Sequence, residues 1–112
     1  MKQHESQSKV CLEAGSAFTP PEAQERLGIA LGSLGRMPLN ALRHPAEAGT
    51  CGWYIWGGEL SVDPAFFQPL CVEHLPEHTP ELMPFLALAP GWRVLLAPGQ
   101  TEVWYDPMLL SA

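Results

Sequence analysis

The residues best suited to chemistry lie in the stretch Cys71-Val72-Glu73-His74, with His78 four residues further along. A thiolate, a carboxylate and two imidazoles are groups that bind zinc. Their spacing does not match a zinc motif, because the two histidines flank a predicted bend at Pro76 and no second ligand pair lies nearby in the sequence. We therefore expect no metal and no cofactor. The alternative is a small metal-binding domain or cysteine-dependent enzyme that uses Cys71, Glu73, His74 and His78.

A cysteine nucleophile is the second chemical possibility. Cys51 and Cys71 have His44 and His74 nearby in the sequence, and a nearby imidazole can activate a thiol. An activated thiol also needs an oxyanion site, and Cys51-Gly52-Trp53 only faintly resembles the glycine-rich elbow that usually provides one. A cysteine that enters a strand is the commoner case. We predict no catalytic residues.

The element that must position any site is the aromatic stretch from Gly52 to Glu59, which contains three of the ten aromatic residues within four positions. Aromatic and β-branched side chains favour a strand. Alternation places Trp53 and Ile55 on one face and Tyr54 and Trp56 on the other. Because both faces are apolar, this is predicted to be the central strand of a sheet.

The rest of the chain predicts an α+β fold. We expect an antiparallel sheet of about four strands, with one longer N-terminal helix and one short helix packed on it. Residues 1–8 are predicted to be a disordered tail, and residues 9–112 a single domain. The expected elements are a helix over residues 19–35, a loop over 36–50, a strand over 70–75, a short helix from residue 79 and a hairpin formed by 92–97 and 101–105.

The large aromatic side chains are expected to fill the core of so small a protein. Arg93 should point away from its neighbour Trp92, either to solvent or to a carboxylate such as Glu102 across the hairpin. The side chains predicted to be buried are those of Trp53, Trp56, Phe66, Phe67, Trp92 and Trp104.

Composition limits the functional classes. Twelve acidic residues face six basic ones, giving a net charge of −6, which argues against nucleic-acid binding. No apolar run approaches the length of about 20 residues that a membrane helix needs, and the polar N-terminus does not resemble a signal peptide. A cytoplasmic location without a membrane partner is therefore expected. Three widely spaced cysteines, Cys11, Cys51 and Cys71, are predicted to be free thiols.

Aromatic, proline and glycine residues recur through five segments between residues 52 and 110: Gly52–Glu59, Phe67–Leu70, Val72–Leu75, Pro90–Arg93 and Val103–Asp106. Together these segments resemble a bacterial family of immunity proteins from polymorphic toxin systems. The resemblance implies a small cytoplasmic protein that neutralises a cognate toxin by binding it, without catalysis. It does not identify contact residues.

The partner-binding surface is predicted from the residues themselves. Acids at strand ends and turns would form a polar rim around large contact side chains, a composition that suits an interface. Glu59 and Asp63 could also be interpreted as a catalytic carboxylate pair, but two solvated surface acids explain them more simply. The predicted contact residues are Glu59, Asp63, Glu102, Asp106, Tyr54 and Tyr105, and the oligomeric state stays open.

Overall fold

A computed structural model describes residues 2–111, and its main feature is one six-stranded sheet. The strands lie in the order β4-β1-β3-β2-β5-β6. β1 runs parallel to β3, and every other neighbouring pair is antiparallel. The strands are β1 (Arg26–Ile29), β2 (Leu39–Arg43), β3 (Thr50–Gly57), β4 (Gln68–Cys71), β5 (Trp92–Ala97) and β6 (Gln100–Tyr105).

Helical segments cover one face of this sheet, which we call the covered face. The long helix α1 (Lys2–Ala14) packs against the 3₁₀ helix Pro80–Phe85, and Gln7 Nε2 donates a hydrogen bond of 2.9 Å to the Met83 carbonyl. Cys11 of the same helix faces the core. The remaining 3₁₀ helices of the described chain are Leu31–Ser33, Val72–Glu77 and Pro107–Leu110.

The hydrophobic core lies between the covered face and these helices. Trp53 is fully buried, and its indole N–H donates a hydrogen bond of 2.9 Å to the Leu86 carbonyl. Burial of this apolar surface is the main stabilising contribution, at about 25 cal/mol per Å². The buried side chains include Leu27, Ile29, Ala41, Trp53, Ile55, Leu75, Leu82, Leu86, Leu88 and Val94.

Arg43 is a buried cation within this core. Its Nε donates to the Cys51 carbonyl at 2.8 Å, and Nη1 donates to the carbonyls of Thr19 at 2.6 Å and Leu88 at 2.8 Å. The guanidinium also lies 5.7 Å from the centre of the Trp53 ring. Burial lowers the pKa of Arg43, while these carbonyl oxygens and the ring stabilise the charge. Arg43 therefore connects β2 to three separate segments of backbone.

The helix predicted over residues 19–35 is wrong, because residues 26–29 form β1 instead. Leu27 and Ile29 are buried on either side of Gly28, which is the alternation of a strand. β1 gains backbone hydrogen bonds from β3 on one side and β4 on the other. A helix here would instead hold two interior glycines, each costing about 1 kcal/mol relative to alanine. Pairing with distant strands overrides the local helical pattern.

The long helix lies at the N-terminus, over Lys2–Ala14. It includes residues 2–8, for which the sequence predicted a tail, while Met1 lies outside the described residues. Gln7, Cys11 and Ala14 are three or four residues apart, so they share one side of the helix and pack inward. Because most residues of this segment are polar, the sequence does not show the narrow buried side of the helix.

The predicted sheet of about four antiparallel strands is wrong in strand number and direction. The sheet has six strands, and β1 and β3 are parallel. The predicted loop over residues 36–50 contains β2, which lies between β3 and β5. Pro38 and Pro45 flank this strand and obscure it in the sequence. The α+β class, the central strand and the hairpin of β5 and β6 are confirmed.

The predicted aromatic core is only partly correct. Trp53 and Trp56 are buried, whereas Phe66, Phe67 and Trp92 are half-buried. Trp104 is 37% exposed, so its predicted burial is wrong. It lies on β6, an edge strand, on the face of the sheet opposite the hydrophobic core.

Candidate functional site: the open face of the sheet

The second face of the sheet lies opposite the core and carries large side chains, and the 3₁₀ helix Pro107–Leu110 borders it through the Leu109 carbonyl near His44. We call it the open face. Register identifies its members, because residues paired across antiparallel strands share a face. Asn40 pairs with Trp56, and Leu42 pairs with both Tyr54 and Arg93. Arg93 in turn pairs with Trp104. The open face therefore comprises Asn40, Leu42, Tyr54, Trp56, Arg93, Leu95, Glu102 and Trp104.

Tyr54 stands near the middle of this face and is 38% exposed. Its ring makes edge-to-face contacts with His44, at a centroid distance of 5.5 Å, and with Phe67, at 5.2 Å. Below it lies Gly28 of β1, where a Cβ would come within 2.7 Å of Tyr54 Cδ2. The glycine thus allows the ring to lie close to the backbone. Packing on several sides holds Tyr54 in place while one side stays open.

Arg93 and Trp104 form the other aromatic centre of the open face. The Arg93 guanidinium lies 5.4 Å from the centre of the Trp104 ring. Its Nη1 donates to Asp106 Oδ2 at 3.1 Å, so Asp106 rather than Glu102 is its carboxylate partner. Asp106 Oδ1 also accepts from the Met108 amide at 3.1 Å, which caps the 3₁₀ helix Pro107–Leu110. These contacts fix the orientation of the Arg93 side chain.

Three cavities adjoin Tyr54. One of about 230 Å³ is mainly apolar and is lined by Leu42, Trp56 and Leu60. A second, of about 420 Å³, is lined by His44, Glu47, Thr50 and the segment 109–111. A third, of about 280 Å³, lies toward Arg26 and Pro69. Tyr54 therefore borders an apolar cavity, a cavity lined by the acid Glu47 and a cavity lined by the cation Arg26.

The predicted contact residues do not all lie on one surface. Tyr54 and Glu102 are on the open face. Asp106 is engaged by Arg93. Tyr105 follows Trp104 on the strand and so points to the other side of β6, where its ring packs against Trp92. Glu59 and Asp63 are exposed in the segment 58–67, which leads from β3 to β4 and contributes Leu60 to the apolar cavity.

The stretch from Cys71 to His78 does not form a metal centre within the described chain. Cys71 ends β4, while Glu73, His74 and His78 are exposed on or beside the 3₁₀ helix Val72–Glu77. His74 Nδ1 lies 3.2 Å from Glu77 Oε2, as in an ordinary surface pair. In residues 2–111, no three His, Cys, Asp or Glu side chains come together as metal ligands would.

The three cysteines are free thiols, as predicted. Cys11 and Cys51 are buried in the core, and burial raises the pKa of both thiols. A raised pKa disfavours the thiolate, which is the reactive form. The geometry therefore gives no support to Cys51 as an activated nucleophile.

Sequence reasoning did not assign several residues to this site, among them Leu42, Arg93 and Trp104 of the open face and His44 beside Tyr54. His44 and Leu42 fell in a segment predicted as a loop. Trp104 was predicted to lie in the core. Arg93 was predicted only to point away from Trp92, and no binding role was assigned to it. The alternation of β5 and β6 carried the needed signal, because Arg93, Leu95, Glu102 and Trp104 share one face once the hairpin register is known.

Comparison with known families identifies the chain. A model of the Imm33-like domain matches residues 6–106. The chain belongs to the Imm33-like family. The resemblance to an immunity-protein family is thus confirmed at the level of the family, and the match reaches well before residue 52, where the resemblance begins. No curated protein matches the chain, and no solved structure does.

The helices of this Imm33-like chain are short. Within residues 2–111, none combines the length and apolar character that crossing a membrane requires.

Proposed function

We propose that this Imm33-like protein is a non-catalytic immunity protein that neutralises a cognate bacterial toxin by binding it through the open face. Family membership supports a protein partner. The observation that carries the choice of surface is the pair of exposed aromatic side chains, Tyr54 and Trp104, on the sheet face opposite the hydrophobic core. Tyrosine, tryptophan and arginine dominate the energetics of protein interfaces.

Inhibition would come from occlusion, since the toxin only needs to lose access to its target. A sheet face held by neighbouring strands suits this role, because little ordering is needed on binding. The acids Glu59, Asp63 and Glu102 border the aromatic residues and would form the polar rim. With a net charge of −6, the protein is complementary to a basic partner.

The double variant Tyr54→Ala/Trp104→Ala tests the surface. Each exposed aromatic anchor is worth about 1–2 kcal/mol or more in an interface, so affinity for the cognate toxin should fall at least about tenfold. Affinity is measured by calorimetry, and protection by survival of cells that co-express the toxin. Leu12→Ala is the matched control, because Leu12 is 80% exposed on α1. Wild-type affinity in the double variant would exclude the open face.

The rim acids are tested by charge reversal. Glu59→Lys/Asp63→Lys should slow toxin association, and the difference from wild type should shrink as salt screens the charges. Glu5→Lys/Glu13→Lys on α1 changes the net charge equally, away from the open face. All four side chains are exposed, and Asp63 Oδ1 also accepts a hydrogen bond of 2.9 Å from the Ala65 amide. The thermal midpoint of the free protein should therefore fall slightly for the pair that contains Asp63 and stay unchanged for the pair on α1. If both pairs slow association equally, the effect is one of total charge and the rim assignment is wrong.

A further inference from the structure

The cavity of about 420 Å³ beside Tyr54 contains acceptors and an aromatic wall. His44 Nδ1 lies 3.1 Å from the Leu109 carbonyl oxygen. Because a carbonyl oxygen only accepts, Nδ1 must carry the proton. Nε2 of the neutral ring is therefore left as an acceptor. This hydrogen bond also fixes the orientation of the imidazole against Tyr54.

Glu47 supplies the charge of this cavity. It begins a turn in which the Thr50 amide donates to the Glu47 carbonyl at 2.9 Å, so its backbone is held in place. Its carboxylate makes no ion pair within residues 2–111. The cavity lining includes no lysine or arginine. An uncompensated acid, an imidazole acceptor and the Tyr54 ring therefore surround one space.

We propose that this cavity, which we call the Tyr54 cavity, receives a cationic side chain of the partner, with arginine as its best-matched occupant. A guanidinium stacks on a tyrosine ring and can donate both to a carboxylate and to an imidazole nitrogen. An aliphatic side chain would leave His44 Nε2 without a donor and would gain nothing from the exposed Glu47 carboxylate. The proposal rests on the proposed function, since it names the chemistry that the toxin presents to the open face.

The choice between the cavities around Tyr54 follows from charge. The cavity near Arg26 already has a cation in its lining and would repel a second one. The cavity lined by Leu42, Trp56 and Leu60 has no carboxylate and suits an aliphatic group. Only the Tyr54 cavity, among these three, combines an aromatic face with an acid.

A small-molecule titration tests the inference without the toxin. N-acetyl-arginine amide is added to the ¹⁵N-labelled protein, and its neutral isostere N-acetyl-citrulline amide serves as the matched ligand. The arginine probe should shift the amide signals of His44, Glu47, Thr50 and Tyr54, and the citrulline probe should bind several-fold more weakly. Glu47→Gln should reduce arginine affinity about two- to fivefold, as expected for an exposed charge pair.

Glu13→Gln is the control variant, since Glu13 is an exposed acid on α1, outside the cavity lining. It should leave the titration unchanged. Equal binding of arginine and citrulline, equal effects of the two variants, or shifts that map elsewhere would each overturn the inference. If N-acetyl-arginine amide does not bind while toxin binding still depends on Tyr54 and Trp104, the arginine site is wrong and the proposed function stands. If N-acetyl-arginine amide binds as expected and the toxin does not bind, the proposed function is wrong.

Discussion

The two faces of the sheet use the same six strands in opposite ways. On the covered face, Trp53 is fully enclosed, and its polar atom has a protein partner. On the open face, its neighbour Tyr54 keeps more than a third of its surface exposed, and its hydroxyl makes no hydrogen bond within residues 2–111. One step along β3 thus separates a residue that stabilises the fold from one that is available to a partner.

This difference separates the side chains that stabilise the core from those on the proposed binding surface. Alternation in a strand assigns successive residues to different faces, so substitutions on one face leave the packing of the other intact. Arg43 and Arg93 show the same separation among cations. Arg43 is enclosed and bonded to carbonyl oxygens, while Arg93 is half-buried and stacked beside Trp104 at the surface.

The largest expected difference between the two faces is in how much a substitution lowers the stability of the protein. Trp53→Ala should lower the free energy of unfolding by about 3–5 kcal/mol, because it opens a large cavity and leaves the Leu86 carbonyl without the indole donor. Tyr54→Ala, at the next position, should cost about 1 kcal/mol, since its side chain is part-exposed. Urea denaturation of both variants measures the difference. Similar losses for the two variants would contradict the division between the faces.

Short-range signals in the sequence were enough to predict part of this architecture. The central strand follows from the aromatic alternation between residues 52 and 59. The hairpin of β5 and β6 follows from two alternating runs around Pro98-Gly99. For the site, this reasoning found Tyr54 and Glu102, because both lie on these well-signalled strands. The central strand and the hairpin can both be predicted from residues that are close together in the sequence.

The rest depends on pairing between distant residues. The apolar residues in and around β1 recur with the spacing of a helix. The segment forms a strand because it pairs with β3 and β4, which are distant in the sequence. β2 contains Arg43, and charged residues are rarely buried unless they are paired. The acceptors of Arg43 at Thr19, Leu86 and Leu88 are 24 to 45 residues away, so only the folded chain explains its burial. The same holds for Trp104, which is exposed because its strand is at the edge of the sheet.

The smallest expected effect concerns the support beneath Tyr54. Gly28→Ala adds a methyl group 2.7 Å from Tyr54 Cδ2, so the ring must move outward. Overpacking of this kind costs at least about 1 kcal/mol, offset by the smaller entropy of the unfolded chain, which favours alanine by about 0.4–1 kcal/mol. Gly32→Ala isolates that second contribution, because no other atom lies within 4 Å of its added Cβ.

Gly28→Ala should therefore be less stable than Gly32→Ala by about 1 kcal/mol or more in urea denaturation. It should also shift the Tyr54 ring protons in the NMR spectrum and weaken binding of N-acetyl-arginine amide, because the displaced ring no longer lines its cavity in the same position. Gly32→Ala should leave both signals unchanged. Equal stability of the two variants, with Tyr54 resonances at their wild-type positions, would mean that the backbone of β1 does not set the position of this ring.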